Sequence, residues 1–240
     1  MEISVIIPAY NEEKRITPTI KSVVDYFEKS KIQDYEIIIV LDGPKDNTLA
    51  VVTDLSYKYA GIRIIDNKVN RGKGAVVKQG ILESVGEYVV FMDADNSTHI
   101  NELDKILPAI QQGIEVVVGS RDMPNSKVEI RQARYKEILG DLGNYWIQIL
   151  LVGGINDTQC GFKVFSGQAA RHIFSQVNMQ GWSFDIEVLA LARYFGYKIK
   201  EMPVIWYNDD SSHVKLQDYI NVLLDTFIIK YRLLTKYYKK

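Results

Sequence analysis

Tyr88-Val89-Val90-Phe91-Met92-Asp93-Ala94-Asp95-Asn96 is an apolar run that stops at two carboxylates separated by a single alanine. Side chains two residues apart on an extended segment point the same way. Asp93 and Asp95 are therefore expected to converge just past a strand end, where open α/β sheets bind ligands. Such a pair suits a hard divalent cation, Mg²⁺ or Mn²⁺, which takes one or two protein carboxylates and completes its shell with phosphate oxygens and water. Read alone, the tripeptide is also a polar strand exit with a turn, and the rest of the chain has to separate the two readings.

Outward from that run, strand-like segments recur at Ser4–Ile7, Glu36–Leu41, Ile62–Asp66 and Glu115–Gly119. Helical patterns lie between them at Lys14–Lys29, Thr48–Tyr59, Gly74–Ser84 and Ile100–Gln111. This alternation predicts an α/β protein with a mostly parallel, Rossmann-like sheet. Ile37 to Leu41 and Val116 to Val118 are continuously apolar, as strands covered on both faces are, so helices are expected on both sides. Beyond Ser120 the alternation weakens into a polar loop (Asp122–Lys127), a long helical region from Arg131 to Val152, the Asp157–Phe165 segment and a helix near Phe184–Phe195.

The 240 residues are 47% hydrophobic, enough to bury a full core in one domain. A net charge of −1 lacks the basic footprint of a nucleic-acid binder. The single cysteine, Cys160, excludes an intramolecular disulfide framework and a cysteine zinc cluster, and fits a reducing, cytoplasmic compartment. Met1 leads straight into Ile3-Ser4-Val5-Ile6-Ile7, so no amino-terminal signal is expected. The longest apolar stretch, Ile147 to Val152, is broken by Gln148 and stopped by Gly153-Gly154, too short to span a bilayer.

Over 216–240, Tyr219, Val222, Leu223, Phe227, Ile228 and Tyr231 are spaced to leave an apolar stripe on an amphipathic helix. Lys230, Arg232, Lys236, Lys239 and Lys240 crowd its last turns. One reading packs the stripe on the domain, with the cations at the negative end of the helix dipole. The other lays it on an anionic membrane surface, where each basic residue contributes about 1 kcal/mol. Tyr145, Trp146, Ile147, Ile149, Leu150 and Leu151 are open to the same two readings.

Four segments should reach one sheet edge: Pro8-Ala9-Tyr10-Asn11-Glu12, Asp42-Gly43, Asn70-Arg71-Gly72-Lys73-Gly74 and Asp93-Ala94-Asp95. The third offers backbone N–H groups, a helix amino terminus and two cations to an anion. Beside an acidic metal pair, phosphate binding is the better account of it.

These segments resemble the inverting family-2 glycosyltransferases of GT-A fold, and the likeness runs from Ser4 to about Lys215. Asp157-Thr158-Gln159-Cys160-Gly161-Phe162-Lys163, with Trp182-Ser183-Phe184-Asp185-Ile186-Glu187, is similar to the dolichyl-phosphate glucosyltransferases and, less closely, to the dolichyl-phosphate mannose synthases. The resemblance implies a single catalytic GT-A domain over 1–215, nucleotide-binding in 1–120 and acceptor-binding in 121–215, followed by the C-terminal helix. It also implies transfer of glucose or mannose, with inversion, from UDP-glucose or GDP-mannose to a polyprenyl or dolichyl phosphate at the cytoplasmic face of a membrane. Donor-site expectations are Pro8, Tyr10, Glu12, Asp42, Lys73, Asp93, Ala94, Asp95 and Arg121, with Mg²⁺ or Mn²⁺ on Asp93 and Asp95. Relatives commonly read Asp-Asp-Gly-Ser where this chain has Leu41-Asp42-Gly43-Pro44, one carboxylate fewer.

A lipid monophosphate has a second pKa of about 6, by analogy with phosphorylated side chains, and is nucleophilic at neutral pH without a buried base. Acceptor-side candidates are Arg131 and Arg134, with Gln159, Lys163, Trp182, Asp185, Glu187 and His213. Arg121, Arg131 and Lys215 join the two aspartates as catalytic candidates. Two rivals stand beside this reading. In one, the sugar goes to a glycan hydroxyl, with Asp185 or Glu187 as base; in the other, the protein binds nucleotide sugar without turnover. A homo-oligomer is compatible with every reading.

Overall fold

Ile3–Ala9 (β1) is seven consecutive buried residues. It takes Tyr35–Asp42 (β2) as a parallel partner on one side and Tyr88–Met92 (β4) on the other. Ile62–Asn67 (β3) continues the parallel run beyond β2. The computed structural model describes residues 1–128, 142–207 and 216–239. Within them the sheet has seven strands in the order β3-β2-β1-β4-β7-β5-β8, where β5 is Val116–Ser120, β7 Phe162–Ser166 and β8 Ile199–Pro203. Every pairing is parallel except those of β7, which is antiparallel to both β4 and β5. Lys127–Val128 (β6) and Ile205–Trp206 (β9) form a separate parallel pair.

The predicted first half stands, with strands within two residues of the expected bounds. The helices are Ile16–Lys29 (α1), Thr48–Lys58 (α2), Lys73–Glu83 (α3) and Leu103–Gln111 (α4), the last entered through a 3₁₀ turn at Ile100–Glu102. The continuous apolar runs have the anticipated cause. Ile37, Ile39 and Leu41 of β2 face a core shared with α1, α2 and α4, while Ile38 and Val40 face a second core. That second core contains residues of α3, of Gly167–Gln176 (α6) and of Phe184–Tyr194 (α7). In α1 the buried set Ile16, Thr19, Ile20, Val23, Val24 and Phe27 recurs at three- and four-residue steps, one helical face.

The second half departs from expectation in β7, α6, β8 and β9, none of which the hydrophobic pattern announced. Of the long helical region expected over Arg131 to Val152, the described part is helical over 142–147 (α5) and closes in a π-helical turn, Gln148–Val152. The C-terminal helix Leu216–Leu234 (α8) ends before the basic tail. Lys236 lies beyond it at φ +54°, and the chain folds back so that Tyr238 is buried. The apolar stripe also turns differently. Val222, Thr226 and Ile229 are buried, whereas Leu223, Phe227, Ile228 and Tyr231 are exposed. Among the described residues, no helix is long and apolar enough to cross a membrane.

Parallel strands running from β1 outward to β3, and then back across to β4, create a switch point between β1 and β4. The loops after both strands open on that crevice. On the far side of the molecule, Phe27 is fully buried and stacks on Tyr35 at 4.2 Å. Replacing it in Phe27→Ala should cost about 3–5 kcal/mol, the usual range for a buried phenylalanine. Denaturant unfolding should show the lowered midpoint with an unchanged slope.

Candidate active site

β4 stops at Met92 and the chain turns at once. The Asp93 N–H donates to Gly161 O at 3.0 Å, the Ala94 carbonyl accepts from Thr19 Oγ1 at 2.6 Å, and Asp95 Oδ1 accepts from Ser97 N at 2.9 Å. Asn96 completes the turn at φ +57°. A turn, rather than an extended strand, brings the two carboxylates together. Asp93 is set by a neighbour the sequence did not suggest. A Cβ built on Gly161 would lie 2.0 Å from Asp93 Oδ2, so the carboxylate fills the space that glycine leaves open.

Asp93 Oδ1 is buried and faces the Lys73 ammonium at 2.7 Å as an ion pair, with no other partner among the described residues. Burial, with the charge of Asp93, pushes the Asp95 carboxyl above its ordinary value. Two adjacent carboxylates, one of which resists ionising beside the other, are an arrangement a hard cation would relieve, so the residues present fit a divalent metal. Among the described residues there is no cluster of three or more His, Cys, Asp or Glu side chains that would hold a metal without help from a ligand. Phosphate oxygens would have to complete the shell.

The loop after β3 behaves differently from expectation. Asp42 Oδ1 and Oδ2 accept from the N–H groups of Arg71 (2.6 Å) and Gly72 (3.1 Å). Gln180 O takes those of Gly74 (2.7 Å) and Ala75 (3.3 Å). These backbone donors, predicted for an anion, are spent on holding the loop. Gly72 and Gly74 serve close packing, since a Cβ on either would meet Gln180 O or Met179 O at 2.5 Å. What the loop presents to the crevice is the Lys73 side chain, beside the rings of Trp182 (4.9 Å) and Phe91 (5.5 Å). Burial works against its charge, but Asp93 and Asp185 prevail and raise its pKa.

A second layer of charge lies beneath. Lys163 Nζ contacts Asp185 Oδ1 at 2.5 Å and Cys160 O at 2.7 Å, both side chains being almost fully buried. Arg121 pairs through Nε (2.6 Å) and Nη2 (2.7 Å) with Asp157, which is fully buried, and stacks over Trp206 at 5.3 Å. Burial opposes the Asp157 charge, yet Arg121 wins and holds its carboxyl below the ordinary value. Gln159 donates to Trp182 O at 3.2 Å. Across the crevice, Pro8 is buried within β1. Tyr10 and Asn11 are half-buried, and Glu12 is pinned by Thr48 Oγ1 and by Arg15.

Glu187 stands apart. It is fully buried and accepts from Asn178 N, Met179 N and the Tyr238 hydroxyl, at 2.6–2.7 Å. Its carboxylate ties the C-terminal tail and the 178–180 turn to α7. Arg131, Arg134, His213 and Lys215 lie outside the described residues. Trp206, which the sequence did not single out, joins the site through β9. An aromatic after an isolated apolar pair is too common a pattern to have flagged it.

Residues 4–174 match the profile of Glycosyl transferase family 2. The chain belongs to that family. A Trichomonas vaginalis protein named dolichyl-phosphate beta-glucosyltransferase is 37% identical over 229 residues, covering 92% of this chain and 68% of the relative. The human protein of the same name is 32% identical over 247 residues, covering 98% and 76%. Among solved structures, mannosyl-3-phosphoglycerate synthase from Rubrobacter xylanophilus superposes with a TM-score of 0.72 at 17% identity, over 98% of this chain and 75% of that one. Glucosyl-3-phosphoglycerate synthase from Mycobacterium tuberculosis, crystallised with Mn²⁺, UDP-glucose and phosphoglyceric acid, gives 0.66 at 19% identity, over 95% and 79%. Both support the GT-A arrangement expected of this family-2 glycosyltransferase.

In this glycosyltransferase the raised Asp95 pKa has a consequence for stability. A carboxyl favoured as the neutral acid in the folded state loses stability as pH climbs from the ordinary value of about 3.9 to the raised one, and the loss persists above. Asp95→Asn should therefore raise the melting temperature of metal-free protein at pH 7, with the gain shrinking as pH is lowered toward 4. Thermal scans across that range check it, and a lower melting temperature at pH 7 would contradict the assignment.

Proposed function

We propose that this glycosyltransferase moves glucose from a nucleoside diphosphate donor to dolichyl phosphate, with inversion, at a membrane surface. The observation that carries the reading is the cluster of Asp93, Asp95 and Lys73 at the β1/β4 switch point, built for a diphosphate and its counter-cation. Similarity over 92–98% of this chain to proteins named dolichyl-phosphate beta-glucosyltransferase favours glucose over mannose, and with it UDP-glucose over GDP-mannose.

Asp93 and Asp95 would hold the Mg²⁺ or Mn²⁺, which when bound supplies Lewis-acid stabilisation of the negative charge that builds on the departing diphosphate. Lys73, and Arg121 held by Asp157, would add positive charge near the diphosphate, worth most where water is excluded. Lys163 and Asp185 are consumed by each other, which leaves Asp185 as a support beneath the site rather than a free base. That arrangement favours an acceptor already ionised, a monophosphate, over a hydroxyl needing deprotonation. Arg131 and Arg134 remain the proposed acceptor clamp, together with Gln159 and Trp182 on the crevice wall.

Attachment to the lipid surface would be peripheral, on the cytoplasmic face. Leu224, Phe227 and Tyr231 on α8 and Tyr145, Trp146 and Ile149 near α5 are exposed, and Trp146 bridges the two groups by packing on Phe227 at 5.5 Å. Scattered apolar residues are ordinary on a protein surface, but exposed aromatic and aliphatic side chains gathered on two neighbouring elements favour an interaction face.

With labelled UDP-glucose and polyprenyl phosphate, label should move into the organic phase, and Asp95→Ala should abolish the transfer. Label appearing instead on a water-soluble glycan would select the hydroxyl-acceptor alternative. Donor that binds but is never consumed would select the non-catalytic one. Leu224→Ser combined with Phe227→Ser and Tyr231→Ser should weaken co-sedimentation with anionic vesicles without lowering the melting temperature. Unchanged sedimentation would remove the docking face.

A further inference from the structure

Lys73 comes to the crevice already paired: its ammonium sits 2.7 Å from Asp93 Oδ1, a buried oxygen with no other partner among the described residues. The Asp93 carboxylate cannot turn away from it. Its Oδ2 is wedged against Gly161, and its own N–H is fixed to the Gly161 carbonyl. The lysine backbone is equally constrained, because Gly72 at φ +92° and Gly74 hold the start of α3 against residues 179–180. Two rigid anchors therefore present an ammonium to the same oxygen that a divalent ion at this pair would need.

An ammonium in contact with this buried oxygen competes with a divalent ion for it, because two cations drawn to one carboxylate repel each other strongly in a low-dielectric site. Lysine can yield where a carboxylate fixed by backbone cannot. Four rotatable methylenes separate its charge from the helix, and the half-buried Trp182 ring, 4.9 Å from Nζ, offers the ammonium a second contact. A displaced ammonium still needs an anion, and a diphosphate arriving with the metal provides one.

We propose that Lys73 is an internal placeholder for the divalent ion. It neutralises Asp93 in the nucleotide-free enzyme, opposes metal binding by itself, and transfers to the donor diphosphate once metal and nucleotide enter together. Metal and nucleotide then bind with positive coupling, and by reciprocity each raises the other's affinity by the same factor. The proposal rests on the reading of Asp93 and Asp95 as the metal pair.

Calorimetry with Mn²⁺ tests it, with and without whichever of uridine and guanosine diphosphate raises the melting temperature. In the wild type, Mn²⁺ alone should bind weakly and saturating nucleotide should tighten it at least 10-fold. Lys73→Met should bind Mn²⁺ alone at least 10-fold more tightly than wild type, while losing most of the coupling. Lys73→Arg, which keeps the charge, should behave like wild type for Mn²⁺ alone, and serves as the folded control if Lys73→Met is unstable; tighter Mn²⁺ binding by Lys73→Arg would then count against the placeholder. Equal or weaker Mn²⁺ binding by a folded Lys73→Met overturns the placeholder and leaves the metal pair standing. No Mn²⁺ uptake by the wild type, even with saturating nucleotide, overturns the metal pair itself.

Discussion

Asp93 is held where it is by a glycine just before β7, and most of the site is arranged around that contact. Its carboxylate fills the space beside the Gly161 α-carbon, and its amide donates to the Gly161 carbonyl. For this to happen the chain must return, after the long excursion beyond β5, and insert β7 between β4 and β5. The insertion pulls the rest of the Asp157–Lys163 segment into place. Glu201 on β8 accepts from the Asn156 and Asp157 N–H groups, Asp157 grips Arg121, and Lys163 reaches Asp185. One antiparallel strand and the segment leading into it thereby place Lys163, the anchor of Arg121 and the wall behind Asp93 around a single crevice.

The cost of such a site is electrostatic. Lys163 and Asp185 are nearly inaccessible, and burying an ion pair gains less than its Coulomb attraction suggests because both charges lose their hydration. The Lys163 ammonium is further satisfied by the Cys160 carbonyl. The Asp93–Asp95 pair is left with like charges adjacent, only Asp93 being answered by a lysine at contact distance. Strain of this kind collects where a ligand will relieve it, and preorganised charge acts on a transition state without having to rearrange.

Glu187 shows the same chemistry used for architecture. Its neighbour two residues back, Asp185, faces Lys163, whereas Glu187 draws in the 178–180 turn and the Tyr238 hydroxyl. The 178–180 turn is in turn what Gly72 and Gly74 pack against, so the tail, α7 and the Lys73 loop form one connected support. Burial, then the bond to Glu187, raises the Tyr238 pKa. With Tyr238 committed inward, α8 turns Leu224, Phe227 and Tyr231 outward.

Local pattern was enough to determine the alternating first half, the two-sided cover of β1 and β2, and the delivery of Pro8–Glu12, Asp42, Lys73 and Asp93–Asp95 to one edge, because parallel βα units are built from contacts between sequence neighbours. Family resemblance, legible in the same motifs, carried the chemistry. Tertiary structure alone decided the rest. The Phe162–Ser166 strand was hidden because buried Lys163 interrupts its apolar run and its partners are distant in sequence. In residues 70–74 the backbone N–H groups expected to face an anion are bonded elsewhere, and they could not be assigned from sequence because Asp42 and Gln180, thirty and about a hundred residues away, compete for them. Which face of α8 is covered was likewise settled by a buried tyrosine beyond its end, since hydrophobic spacing defines a stripe but not what lies against it.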